Sequence, residues 1–388
     1  MHQLSKKIMS AIRIATGKKN KLFLHEPYLG TSELKNLKNC IKNNTVSSIG
    51  NFVHKFEKNV AKYTKSRFTI SSINGTSALH IALKVIGLKN NEEVFIPALN
   101  YIATTNATLY CGGIPHFIDI SKTDLGIDIE KFTNYLKQET KILGNKTINK
   151  RSGNVIKAVL ATHIYGNPMN IKKLQSLCKK YNLKLIEDAA EAMGSRFKNK
   201  HLGTFGDLGV LSFNGNKIIT TGGGGMILTN NRQYFNLAKH LTTIAKEKNK
   251  FLLGHDMMGF NYKLPNINAA LGCAQLNKIN RFIFLKRKLH KNYVAAFSQI
   301  SEVDILNESK GSNSNYWLNT LILKKNNFKL KNKIINDLHK KSIFVRPSWK
   351  CLSKNKYLQK FQTMDLKNTL DLEKRIITLP SSPHLLIK

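Results

Sequence analysis

The chain has 388 residues, 62 of them Lys or Arg and 23 Asp or Glu, for a formal net charge of +39. Hydrophobic residues at 41% and charged residues at 22% are ordinary globular usage, which excludes wholesale disorder. No run reaches the ~18–20 apolar residues of a membrane-spanning helix, and the length is enough for two or three domains with sizeable cores.

So large a charge raises the alternative of a basic polyanion-binding protein, which would bind in a salt-sensitive way. Only nine of the basic residues are arginine, leaving 53 lysines. They are scattered among asparagines, as in Lys18-Lys19-Asn20-Lys21 and Lys324-Lys325-Asn326-Asn327. A nucleic-acid surface favours arginine forks and clustered basic–aromatic motifs. The excess therefore reads as the background of A/T-rich coding, with no specific nucleic acid and no membrane as partner. Five cysteines (Cys40, Cys111, Cys178, Cys273, Cys351) are odd in number and far apart. That pattern indicates neither a disulfide framework nor a metal site, and fits a reducing cytoplasmic location.

In chain order, residues 1–30 form an N-terminal segment. It is basic, with no acid before Glu26, and its apolar stretch Ile8–Ile14 is broken by Arg13. That pattern suits a small amphipathic helix better than a targeting sequence. Residues 31–250 read as a large domain. From about 67 to 230, short β-branched runs at Phe68–Ser71, Glu93–Ile96, Ile114–Ile118, Val155–Ala161, Leu183–Ile186, Leu208–Phe213 and Gly225–Thr229 alternate with helix-period stretches such as Ser77–Val85 and Ile171–Lys180. This alternation predicts an α/β domain with a mostly parallel central sheet covered on both faces. In such sheets ligands sit beyond the carboxyl ends of the strands. Residues 251–388 read as a smaller C-terminal α+β domain, opening with helices over Asn266–Leu276 and Arg281–Phe297.

The residues after each strand carry the chemistry. Gly75, Thr76 and Ser77 precede an amphipathic helix and can cradle a phosphate, although a hydroxyl here also serves as a plain N-cap. Tyr101, in the loop after the second strand, can stack on a planar ligand or pack under its own loop. His163 and Tyr165 follow the strand ending at Ala161. Glu187-Asp188-Ala189-Ala190-Glu191 places acids after an apolar strand, where a buried carboxylate needs a compensating partner such as a protonated ring nitrogen. In Ser212-Phe213-Asn214-Gly215-Asn216-Lys217, a lysine sits between an apolar strand and the run Gly222–Gly225. A lysine held out of water becomes a usable amine nucleophile. Each motif alone has an ordinary structural explanation. Together they meet the needs of one cofactor, pyridoxal 5′-phosphate (PLP).

These motifs, with Gly259-Phe260-Asn261-Tyr262, resemble those of the DegT/DnrJ/EryC1/StrS family of PLP-dependent sugar aminotransferases, in order from about Leu24 to the C-terminus. The resemblance implies the fold-type I, aspartate aminotransferase-like architecture and a homodimer. It implies Lys217 as the lysine that carries the cofactor and Asp188 as the partner of the ring nitrogen. Tyr101 and Ala190 would lie on the two ring faces and Glu191 near the ring hydroxyl. Thr76, Ser77 and Ser212 would hold the phosphate beside Gly75, and Asn261 would reach into the partner subunit's site. L-Glutamate is the implied amino donor and a nucleotide-linked keto-sugar the acceptor, with His163, Lys263 and Arg346 as candidate substrate contacts.

Within the family, Leu24-His25-Glu26-Pro27, Ser47-Ser48-Ile49-Gly50, Asn315-Tyr316-Trp317-Leu318-Asn319 and Arg346-Pro347-Ser348-Trp349 are most similar to enzymes making UDP-4-amino-4,6-dideoxy-N-acetylglucosamine on bacillosamine or legionaminic acid routes. GDP-perosamine or dTDP-sugar aminotransferases of the same family are the alternative. Two departures stand out: Gly222-Gly223-Gly224-Gly225 where many members have Gly-Glu-Gly-Gly, and Lys263 where the pattern has Arg. A related dehydratase branch has histidine in place of the lysine, so Lys217 argues against it.

Overall fold

The computed structural model describes residues 1–247 and 254–387; the expected domain boundary at 250/251 lies outside the described residues. The chain opens with α1 (Gln3–Thr16), α2 (Thr31–Lys42) and α3 (Asn51–Thr64). Strands and helices then alternate: β1 (Phe68–Ser72), α4 (Gly75–Val85), β2 (Glu93–Pro97), α5 (Ala103–Tyr110), β3 (Ile114–Ile118) and α6 (Ile129–Glu139). A hairpin of β4 (Thr140–Leu143) and β5 (Lys146–Asn149) leads to β6 (Val155–Thr162), α7 (Ile171–Lys180) and β7 (Lys184–Asp188). The short β8 (Arg196–Phe197) and β9 (Lys200–His201) precede β10 (Leu208–Ser212), β11 (Gly225–Thr229) and α8 (Arg232–Thr242).

The large sheet has the order β1-β11-β10-β7-β6-β2-β3, with the β4–β5 hairpin attached to β6. Strand β11 runs antiparallel to β1 and β10, while the pairs from β10 to β3 are parallel. All the path strands except β11 therefore end at one edge of the sheet. Strands β2, β10 and β11 are buried along their whole length. That burial is why they read as unbroken apolar runs rather than alternating ones. The expected mostly parallel α/β architecture is what the structure has.

After the large sheet comes α9 (Asn266–Phe297), one continuous helix of 32 residues where the sequence pattern suggests two. The polar stretch Asn277–Asn280 resembles a break, but its polar side chains are used in packing. Lys278 pairs with Glu33 at 2.6 Å, Asn280 accepts from the Tyr63 hydroxyl at 3.2 Å, and Ile279 stays in the core. The chain ends with β12 (Val303–Ile305), β13 (Ser312–Asn313), β14 (Asn319–Leu323), α10 (Phe328–His339), β15 (Arg346–Pro347), α11 (Lys367–Glu373) and β16 (Ile376–Leu379). Of these, β12-β14-β16-β15 form a second, antiparallel sheet.

Helix α9 belongs to both cores. Ala269, Cys273, Leu276 and Ile279 pack with Val53, Phe56 and Val60 in the core of the large sheet. Leu289, Tyr293 and Phe297 pack with the small sheet. Helix α1 joins that second core through Leu4, Ile8, Ala11, Ile12 and Ala15, a stripe at i, i+4, i+7, i+8, i+11. The N-terminal segment is thus folded into the C-terminal unit. Ile12→Ala should cost about 2–5 kcal/mol of unfolding free energy in urea, through a buried cavity. Ile14→Ala on the exposed face of the same helix should stay within ~0.5 kcal/mol.

Candidate active site

The loops after β1, β2, β6, β7 and β10 meet Leu24, His25, Trp317, Arg346 and Trp349 around a cavity of about 450 Å³. At one end, Asn74 caps α4, its Oδ1 accepting from the Ser77 N–H at 2.8 Å. Gly75 opens the first turn, which carries no acidic residue. A Cβ on Gly75 would lie 3.1 Å from the Ser212 Cβ, and one on Gly225 would collide with the Asn74 carbonyl. These two glycines let the turn, β10 and β11 close on one another. Thr76 and Ser212 line the cavity there, and free N–H groups with the positive end of a helix dipole favour an anion. Ser77 is buried and absent from the cavity wall.

The two acids ending β7 have opposite environments. Burial pushes the Glu187 carboxyl up, but the bond from His163 and the peptide N–H groups of Gly203 and Gly206 outweigh it and hold it below the ordinary range. Asp188 receives a single side-chain hydrogen bond among the described residues, from the Ala190 N–H at 3.1 Å. Burial raises its pKa, opposed by that N–H and by the Lys217 ammonium. A buried carboxylate on a cavity floor with so little compensation calls for a cation from a ligand.

The Lys217 Nζ lies 3.4 Å from the Glu191 carboxylate and 4.0 Å from the centre of the Trp317 ring. Glu191 also accepts from the Tyr165 N–H at 2.7 Å. Burial pushes its carboxyl up to about 7, against the pull of Lys217. Tyr165 holds this position with φ 56°, in the left-handed region, and stacks on Trp349 with centroids 4.9 Å apart. Tyr316, beside Trp317, has φ 45° and stacks on His290. Tyr165 lines the cavity in this uncommon conformation and Tyr316 adopts it just off the wall, the kind of strain that clusters around functional centres.

Most of the expected site residues come together. Gly75, Thr76, Tyr101, Asp188, Ala190, Glu191, Ser212, Lys217 and Arg346 all line the cavity. Tyr101 is 56% exposed, at the mouth, on a loop tied to β6 by the Asn100–Thr162 bond of 2.7 Å. Besides Ser77, three others lie elsewhere. His163 is fully buried against Glu187 at 3.1 Å, and Lys263 is off the wall. Asn261 is exposed, bridging Thr243, and also off this wall. Sequence reasoning gave no role to His25, Asn216, Trp317 or Trp349, which line the cavity. One signal was available: the chain has two tryptophans, and both are here.

The under-compensated Asp188, the anion cradle at Gly75–Thr76 and the amine of Lys217 share one cavity, and they fit pyridoxal phosphate at its ring nitrogen, phosphate and aldehyde. Set at the carboxyl edge of a mostly parallel sheet, this is the plan of the fold-type I PLP enzymes. Residues 27–387 match the DegT/DnrJ/EryC1/StrS aminotransferase family, and the chain belongs to that family. Its cofactor is pyridoxal phosphate. The GDP-perosamine synthase of Escherichia coli O157:H7 is 33% identical over 365 residues, 93% of each chain. A UDP-4-amino-4,6-dideoxy-N-acetyl-beta-L-altrosamine transaminase of Campylobacter jejuni is 32% identical over 272 residues, 69% of this chain and 68% of that one. Helicobacter pylori PseC, an aminotransferase involved in the biosynthesis of pseudoaminic acid, superposes with a TM-score of 0.86 over 95% of both chains. At 24% identity that likeness concerns the fold.

The raised pKa of Glu191 has a testable sign. Between its ordinary value of 4.5 and about 7 the folded chain holds a proton that the unfolded chain has released, so stability falls as pH rises through that window. The melting temperature of cofactor-free protein should drop from pH 5 to 7, and Glu191→Gln should flatten the drop.

Proposed function

We propose that this protein moves the amino group of L-glutamate to C4 of a nucleotide-linked 4-keto-6-deoxy sugar, for the biosynthesis of a surface-glycan sugar. The observation that carries this reading is the position of the Lys217 amine. It lies within reach of a buried carboxylate partner and an aromatic face, in a cavity large enough for a sugar beside the cofactor.

Bound pyridoxal phosphate supplies an electron sink that stabilises negative charge at the carbon losing a proton. Asp188 keeps the ring nitrogen protonated, and its burial makes that charge pair strong. Thr76, Ser212 and the start of α4 anchor the phosphate, with Ser77 supporting the turn through its N–H. Tyr101 and Ala190 border the ring. With the cofactor bound, the Lys217 amine would take the proton from the donor's α-carbon and return it two atoms along, at the carbon that had been the aldehyde, as general base and then general acid. Glu191 keeps that ammonium in place between the two transfers. Donor and acceptor use one cavity in turn, with 2-oxoglutarate leaving before the sugar enters. Arg346, on the wall, has the fork geometry to bind a carboxylate or diphosphate. Asn261, exposed and off its own cavity, suits a homodimer in which it reaches the partner subunit's cofactor phosphate. His163 holds Glu187 behind the cofactor, and Lys263 keeps the positive charge of the family's arginine.

The nucleotide is uridine diphosphate on the strength of the Leu24–Pro27 and Arg346–Trp349 segments. A guanosine diphosphate sugar is the second reading, supported by the end-to-end identity with GDP-perosamine synthase. Incubation with glutamate and UDP-, GDP- and dTDP-linked 4-keto-6-deoxy sugars should give amine transfer to one of them, and Lys217→Ala should lower it by on the order of 10³-fold or more. Retained turnover in that variant would refute the assignment.

A further inference from the structure

His25 is a cavity-lining side chain with unused hydrogen-bonding capacity. It borders the cavity with Trp317 and Lys217, and its ring lies 6.5 Å from the Trp317 ring. Both ring nitrogens have almost no accessible surface and neither has a partner among the described residues, so a small turn of the ring presents either one to the cavity. Such an imidazole is costly to leave unsatisfied.

The backbone on either side is pinned. The Leu24 carbonyl accepts from the Ser381 N–H at 2.7 Å, and the Glu26 N–H donates to the Ser382 hydroxyl at 2.8 Å. Two residues earlier, Leu22 bridges Ile343. Buried Lys286 closes the back of the same wall, donating to the carbonyls of Trp317 and Ser381. The segment is therefore a rigid mount carrying one polar side chain to the cavity.

We propose, on the basis of the function given above, that His25 hydrogen-bonds a hydroxyl of the acceptor sugar and positions it for the second half of the reaction. A neutral imidazole offers one donor and one acceptor, the same pair that a sugar hydroxyl offers in return. Burial first, then the nearby Lys286, Lys217 and His384, disfavours its protonated form. It thus has no charge with which to select the carboxylates of glutamate, a task that the cationic Arg346 can perform. The two substrates use the cavity in turn, so a residue serving the sugar alone should reveal itself in one half-reaction.

The test uses the cofactor-loaded protein and follows its absorbance in single turnovers, first with glutamate and then with the UDP- or GDP-linked 4-keto-6-deoxy sugar that the wild type accepts. His25→Phe keeps an aromatic ring and removes both nitrogens; His25→Gln restores a donor and an acceptor and guards against a folding defect in the first variant. The glutamate half should stay within about twofold in both variants, while the sugar half should lose on the order of tenfold or more in kcat/KM in His25→Phe and recover most of it in His25→Gln. Equal losses in both halves, or none in either, would overturn the proposal and leave His25 a structural residue. A wild-type protein that reacts with glutamate but accepts no keto-sugar would overturn the functional reading itself, and this proposal with it.

Discussion

The site depends on keeping one ammonium and two carboxylates together in a space that water barely enters. Lys217 has Glu191 3.4 Å away and the face of Trp317 against it, while Asp188 lies buried with little compensation. Two such carboxylates cannot both be balanced by one ammonium. Glu191 relieves the excess by holding a proton up to about pH 7, and Asp188 leaves a negative charge for a ligand to neutralise. Much of the binding free energy of a protonated heterocycle is in this way prepared by the fold before the ligand arrives.

The rest of the chain builds that arrangement. Parallel pairing sets Val210 opposite Asp188, so the acid of β7 and the phosphate-side residues of β10 leave neighbouring strands at the same edge. Helix α9 spans both cores and fixes the small sheet relative to the large one. Through that connection Trp317 and His25 are held over Lys217. The cavity wall therefore takes Trp317, Arg346 and Trp349 from the C-terminal part of the chain and Asp188, Ser212 and Lys217 from the edge of the large sheet.

This division explains what was legible in the sequence. The buried parallel strands announce themselves as β-branched runs, and the residues following them can be examined for chemistry without knowing any tertiary contact. Lys217 and Asp188 stood out in that way among very many lysines and a few acids. Helices α2 and α3 were harder to see because lysine and asparagine fill their outer faces and few apolar positions remain. The continuity of α9 was hidden by Asn277–Asn280, whose polar side chains meet Glu33 and Tyr63 from distant parts of the chain. Trp317 and His25 reach the cavity through contacts spanning hundreds of residues, which no local pattern encodes. The +39 charge turned out to be least informative, beyond a general attraction for anionic cofactor and substrate.

The central claim is that one amine among 53 lysines carries the cofactor. Purified protein loaded with pyridoxal phosphate, reduced with borohydride and digested, should yield a single cofactor-bearing peptide, containing Lys217, by mass spectrometry. A label spread over other lysines, or fixed to one elsewhere, would contradict the account.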